Sequence, residues 1–229
     1  MTVREDYWEK RKSGIKALGP ILWGTHFCQF YQNEKDLLEI LLPYFKAGLI
    51  ANECCVLVAS PSFPAGEAEK RIKRGLRRFE DYVRSGQLEI VPHDARLAGA
   101  LRSGRAVVSV LDKAVSNGFE GLRLAFHAFP LRKASRCCEE ISRYNVLGLF
   151  GYPRSGYDAS GVMDAINRHR YAIVRNAGKW EAIESSEVRI VRDALNRSEQ
   201  KLQSLFNNMS EGFAYHRIVL NSRGKPCNY

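Results

Sequence analysis

Two groups of residues in this chain have types and spacings that could do chemistry. The first is the loop Tyr31-Gln32-Asn33-Glu34-Lys35-Asp36. It lies between a run rich in strand formers, 23–31, and a helical repeat of Leu37, Leu38, Leu41, Leu42, Phe45 and Leu49. A nucleotide-hydrolysing protein on this plan would place GxxxxGK followed by Ser or Thr there, so that backbone amides and a lysine hold phosphates. This loop has no glycine to let the backbone close on a phosphate, and Glu34 and Asp36 would repel one. The shell suggests a nucleotide-binding ancestor, and the chemistry suggests a sensor.

The second group lies at the ends of the predicted strands, where open parallel sheets bind their ligands. Those ends carry Tyr31 and Gln32, Ser60, His93, His127, and then Tyr152 and Arg154. Aromatic surface with a few polar groups suits a small-molecule pocket, and these seven are the candidate ligand-binding residues. They contain no evident nucleophile–base pair, so no catalytic residue is assigned. His26, inside a strand, reads as a packing histidine. It shares a strand face with Cys28, but two ligands do not make a metal site, so no metal is assigned and the sequence names no cofactor. Arg123 lies within a strand and needs a partner if buried, with Glu53 and Asp112 as candidates.

The elements that must position these residues alternate. Cys54 to Ala59 is a short apolar run of the kind a buried parallel strand needs. A basic helix follows, Ala65 to Ser85, with Ile72, Leu76, Phe79 and Val83 as its apolar stripe and Gly86 as its end. Strands are then expected over 87–92, 122–126, 146–152 and 171–174, with helices over 107–117, 138–144 and 162–168. Strand and helix in alternation predict an α/β fold of three layers, a parallel sheet flanked by helices. From about Glu184 the pattern changes. Val188, Val191, Leu195, Ser198, Leu202, Leu205 and Met209 follow 3-4-3-4 spacing, a coiled-coil seam with one polar member. Such a helix is a connector and a route to a homodimer. Beyond it comes a strand, a turn and the beginning of another strand, as if the sequence stopped inside a further domain.

Composition narrows the function classes. The chain has 229 residues, 45% hydrophobic, which is enough for one real core. No run approaches a membrane span, and the charged first residues do not support a signal peptide, so the chain reads as cytoplasmic. The six cysteines include the vicinal pairs Cys54-Cys55 and Cys137-Cys138 but no CxxC, and read as reduced, structural thiols. The formal charge of +10 raises affinity for anions. Much of it sits on the outer face of the basic helix, and no base-reading motif accompanies it, so nucleic acid is not the expected partner.

The segments together resemble the MEDS domain (methanogen/methylotroph, DcmR sensory domain). The resemblance rests on residues 24–31, Leu42-Pro43-Tyr44-Phe45-Lys46-Ala47-Gly48-Leu49, Asn52-Glu53, residues 87–92, Gly118-Phe119, Gly121-Leu122-Arg123, Tyr152 and His169. The chain departs from the family pattern at Phe150, Arg170 and Ala128-Phe129. The segment from Ser198 resembles the entrance to a PAS domain. The implied organisation is an N-terminal extension (1–19), a MEDS-like domain (20–183), a connector helix (184–209) and the start of a PAS domain (210–229). The resemblance implies a RecA-like core without a functional phosphate loop, which senses a small, often methylated or halogenated, carbon compound at the front of a sensor histidine kinase. No catalytic activity is expected of this segment. The alternatives are a degenerate nucleotide-binding domain and a nucleic-acid-associated regulator.

Overall fold

The structure is a computed structural model that describes residues 10–207, 219–220 and 226–228. It divides into two compact units between Val188 and Arg189. The first unit opens with a small antiparallel pair, β1 (Lys10–Lys12) and β2 (Pro20–Leu22). The first core strand, β3 (His26–Tyr31), is buried along its whole length. The helix α1 (Glu34–Ile50) starts where the Asn33 side chain accepts the Asp36 amide at 3.1 Å, with Glu34 and Asp36 complementing the helix dipole.

Next come β4 (Cys54–Val58), α2 (Ala65–Gly75), α3 (Phe79–Arg84) and β5 (Leu88–Val91). The chain continues through α4 (Arg96–Arg102), α5 (Val107–Ser116), β6 (Leu122–Phe126), α6 (Ala134–Ser142) and β7 (Val146–Pro153). The unit closes with α7 (Ala159–Arg168), β8 (Tyr171–Asn176) and β9 (Lys179–Glu184). Seven strands form one sheet in the order β5-β4-β6-β7-β3-β8-β9, parallel throughout except for β9. The expected layered α/β fold with a mostly parallel sheet is therefore what the chain adopts.

Alternation along the strands sorts side chains into two cores. Cys54, Val56 and Val58 meet residues of α4, α5, α6 and α7 on one face. Cys55 and Leu57 meet α1, α2 and α3 on the other. The vicinal cysteines of β4 thus point apart, as strand geometry requires, and Cys28, Cys54, Cys55, Cys137 and Cys138 are buried free thiols.

The expected basic helix is broken in two. Leu76 is extended and Arg78 takes a left-handed conformation, φ 61°. The apolar spacing survives the break, because Ile72, Leu76 and Phe79 are all buried, whereas Val83 is 44% exposed. Four elements carry too weak a pattern to stand out in the sequence: β1, β2, α4 and β9.

The Arg123 side chain is buried completely, and its partner is Glu53, which Arg11 also meets at 2.9 Å. The guanidinium donates further to the carbonyls of Tyr44 and Lys12, both at 2.7 Å, and of Ser13 at 3.3 Å. Gly48 makes room for it, since a Cβ there would stand 2.5 Å from the arginine Cδ.

The helix α8 (Ser186–Asn207) carries the predicted seam, and Val191, Leu195, Leu202 and Leu205 are exposed on it. Met209 of that seam, and the strand expected around Phe213, lie outside the described residues. In the second unit, β10 (Val219–Leu220) pairs antiparallel with β11 (Pro226–Asn228). Among the described residues, no helix is long and apolar enough to cross a membrane.

Candidate functional site

Three of the seven strand-end candidates come together. Ser60 follows β4, His127 follows β6 and Tyr31 ends β3. The His127 imidazole lies between two hydroxyls, with its Nδ1 2.6 Å from Ser60 Oγ and its Nε2 2.9 Å from the Tyr31 hydroxyl. All three residues are buried. Phe63 covers the imidazole, ring centres 5.0 Å apart, from a tight turn closed by the Ser60 and Phe63 backbones. Ser62 Oγ, 3.0 Å from Ser60 Oγ, carries the chain of hydroxyls out to an exposed residue.

Strand order alone would keep Tyr31 from His127, because β7 runs between β3 and β6. Gly151 of β7 opens the way: a Cβ there would stand 3.2 Å from Tyr31 Cε1 and 2.9 Å from the Phe126 carbonyl oxygen. Ala128, next to His127, has φ 48°, a left-handed conformation that costs a non-glycine residue roughly 1 kcal/mol. Backbone strain of this kind collects at functional sites. Burial pushes the Tyr31 hydroxyl up, against a hydrogen bond from the Ala128 backbone that lowers it, so the phenol stays neutral.

Burial also holds the His127 imidazole down to about 4. The folded chain therefore refuses a proton that the unfolded chain accepts below about pH 6.5. The stability this site supplies is fully present above that pH and is lost as pH falls towards 4. The loss should approach about 3 kcal/mol by pH 4. Urea unfolding at pH 7.5 and pH 4.5 measures it, and His127→Gln should shrink the difference between the two pH values by roughly 2–3 kcal/mol.

The other four candidates lie apart from this trio. Tyr152 projects from the opposite face of the sheet, where its hydroxyl meets His169 Nε2 at 2.9 Å. Gln32 and Arg154 are exposed at the rim. His93 is half-buried, and its carbonyl accepts from Arg102 at 3.1 Å. Two surface clefts lie elsewhere and include none of the seven. One, of about 730 Å³, lies between Lys16, Glu39 and Trp180, and a basic one of about 420 Å³ is lined by Lys46, Lys73, Arg74, Arg77 and Tyr82.

The loop before α1 is filled by its own side chains. Asp36, buried, takes the Gln32 amide on one carboxylate oxygen at 3.1 Å and Arg175 on the other at 2.5 Å. Its backbone carbonyl accepts from Gln29 at 2.7 Å. A carboxylate thus sits in the first turn of α1, where the helix dipole favours negative charge.

The Ser60–His127 pair is a nucleophile–base contact that sequence reasoning did not see. It lacks the buried carboxylate that orients a catalytic imidazole and stabilises its charged form. Tyr31 stands in that place, and a low-pKa imidazole is a weak base. The arrangement is suited to relaying a hydrogen-bond change: in a neutral imidazole one nitrogen donates and the other accepts, so reversing one contact reverses the whole Tyr31–His127–Ser60–Ser62 series.

A second polar group lies in the core on the other face. His26 Nδ1 and Cys138 Sγ each stand 3.4 Å from His169 Nδ1. Burial lowers the His26 imidazole to about 3 and His169 well below its ordinary value, and raises the Cys138 thiol. Cys28, which the sequence places on the same strand face as His26, is not among the three. His169 and Cys138 lack a local signal, because they reach His26 from the residue after α7 and from the middle of α6.

Compared with known families, residues 25–170 match the one described as the MEthanogen/methylotroph, DcmR Sensory domain (MEDS). No curated protein matches the chain.

Proposed function

The chain belongs to the MEDS family of sensory domains, and on that premise we propose that it is a signal-input module for a small carbon compound, of the methylated or one-carbon kind. The observation that carries this reading is the buried Tyr31–His127–Ser60 series at the carboxyl ends of three parallel strands. It offers a compound hydrogen-bonding groups without a catalytic carboxylate. Gln32, His93, Tyr152 and Arg154 belong to the wider set of candidate ligand-binding residues, of which Gln32 and Arg154 would form the rim. A strand order in which the first core strand lies between the fifth and sixth, with the last strand reversed, supports a RecA-like core. Asp36 in the first turn of α1 supports the loss of its phosphate loop.

The output side of the proposal is α8. Its exposed apolar seam supports a homodimer, with a PAS domain and a histidine kinase downstream. Ligand binding can bias that helix only if the ligand prefers one of its two arrangements. The second reading, an anionic ligand such as a nucleotide or nucleic acid, draws on the basic cleft of Lys46, Lys73, Arg74 and Arg77.

A thermal-shift panel separates the two readings, since a ligand of the folded state raises its melting temperature. The panel is methanol, methylamine, dimethyl sulfide, dichloromethane, ATP and a short DNA duplex. At least one of the small carbon compounds should raise the melting temperature of the wild-type chain, and Tyr31→Phe should abolish that shift. A shift with ATP or DNA alone, unaffected by Tyr31→Phe, would overturn the proposal in favour of the second reading.

A further inference from the structure

We propose that His26, Cys138 and His169 form a binding site for a divalent transition cation of the zinc class. The inference does not depend on the sensing reading and concerns the opposite face of the sheet. The three ligand atoms lie within 4.8 Å of one another and all three residues are buried. The two Nδ1 atoms face each other at 3.4 Å, and the thiol lies at the same distance from His169 Nδ1. That separation is long for a hydrogen bond, whose N···acceptor distance centres on about 2.9–3.0 Å. It is the separation expected of two nitrogens each about 2.0–2.1 Å from one tetrahedral cation, which stand about 3.3–3.4 Å apart.

The surroundings fix the His169 imidazole in the orientation a ligand needs. The hydroxyl of Tyr152 stands 2.9 Å from His169 Nε2. With Nε2–H donating to that hydroxyl, the Nδ1 lone pair points at His26 and Cys138, the outer-shell contact that metal-bound histidines commonly make. Without a cation, the His26 N–H and the Cys138 S–H compete for that single lone pair. A cation instead uses three lone pairs at once.

The backbone holds the group together: the Arg170 amide, next to His169, donates to the His26 carbonyl at 3.1 Å. Gly148, opposite His26 in the sheet, lets Ile141 and Phe150 pack close to the group, because a Cβ there would lie 2.8 Å from Ile141 Cδ1 and 3.0 Å from Phe150 Cε2. Phe150 closes the group on one side, its ring centre 4.6 Å from that of His169. Two neutral nitrogens and one thiolate suit zinc and its neighbours rather than magnesium or calcium, which prefer oxygen. Binding is a ligand exchange: the cation sheds its bound waters except one, which fills the fourth tetrahedral position, the Cys138 thiol gives its proton to solvent, and no electron moves.

Because the site is closed, the test supplies the metal during folding. The full chain is unfolded in denaturant with a chelator, freed of both, and refolded with cobalt(II) as the spectroscopic stand-in for zinc. We expect one cobalt per chain, with visible bands of tetrahedral intensity and a near-ultraviolet thiolate-to-cobalt band, and zinc should displace it. Cys138→Ser should remove the near-ultraviolet band and weaken binding at least tenfold, and His26→Gln should weaken it similarly. X-ray absorption at the cobalt edge of the wild-type chain reads the ligands directly should a variant fail to fold, and should show nitrogen together with one sulfur. Wild-type chain that refolds without taking up cobalt, a near-ultraviolet band unchanged in Cys138→Ser, or a shell without sulfur would each overturn the proposal.

Discussion

Replacing Arg123 with methionine should destabilise the first unit by about 3 kcal/mol or more, read as a lower urea midpoint with an unchanged slope. The side chain is fully buried, and so is Glu53 beside it. Removing one member of a buried ion pair leaves the other charge in a medium that cannot solvate it, which commonly costs roughly 3–5 kcal/mol. Arg11 still holds one Glu53 oxygen from the edge of the core, which places the loss towards the lower end of that range. The carbonyls of Lys12, Ser13 and Tyr44 lose their donor at the same time. Methionine keeps most of the packing volume, so the effect reports charge and hydrogen bonding rather than a cavity. The paired change Arg123→Met with Glu53→Leu should recover much of the loss, because it removes both buried charges. A cost under about 1 kcal/mol for the single change would mean that the pair is solvated.

Exchanging Leu195 and Leu202 for glutamate should convert the proposed homodimer into a monomer without changing the melting of the first unit. Both leucines are more than half exposed on α8, and leucines at the seam of a helix pair supply most of its association energy. Two glutamates in each helix would place four like charges on the seam. Sedimentation or light scattering reads the outcome as a halved mass. An unchanged dimer would place the contact elsewhere on the chain and remove α8 as the route of transmission.

The sequence made the centre of the fold legible and hid its edges for physical reasons. The strands β4, β6 and β7 are buried on both faces and so read as apolar runs, interrupted in β6 by Arg123 alone. The edge strand β9 alternates exposed and half-buried residues, with Lys179, Trp180 and Glu181 among them, and lacks that signature. The break between α2 and α3 was invisible because the 4-3 spacing of Ile72, Leu76 and Phe79 satisfies a straight helix equally well.

The candidate site shows the same division. Strand ends are easy to locate, which brought Tyr31, Ser60 and His127 forward. Which of them touch depends on strand order and on which face each last residue points to. Tyr152 illustrates the limit: it lies near the end of β7, one residue after Gly151, and points to the opposite core from Tyr31. Arg123 was legible as needing a carboxylate if buried, with Glu53 and Asp112 as candidates, and the structure selects Glu53. His26 and His169 are 143 positions apart, beyond what any local pattern can connect.

The central claim, that occupancy of the strand-end site biases α8, is tested most directly through reciprocity. If a ligand favours one arrangement of the helix, then the helix must alter the affinity for that ligand by the same factor. The measurement is a calorimetric titration of the small carbon compound that shifts the melting temperature, performed on the wild-type chain and on the Leu195→Glu, Leu202→Glu chain. Coupling of the usual strength predicts affinities that differ by about fivefold or more. Equal affinities, with the variant shown to be monomeric, would contradict the account and leave a binding domain with no connection to its helix.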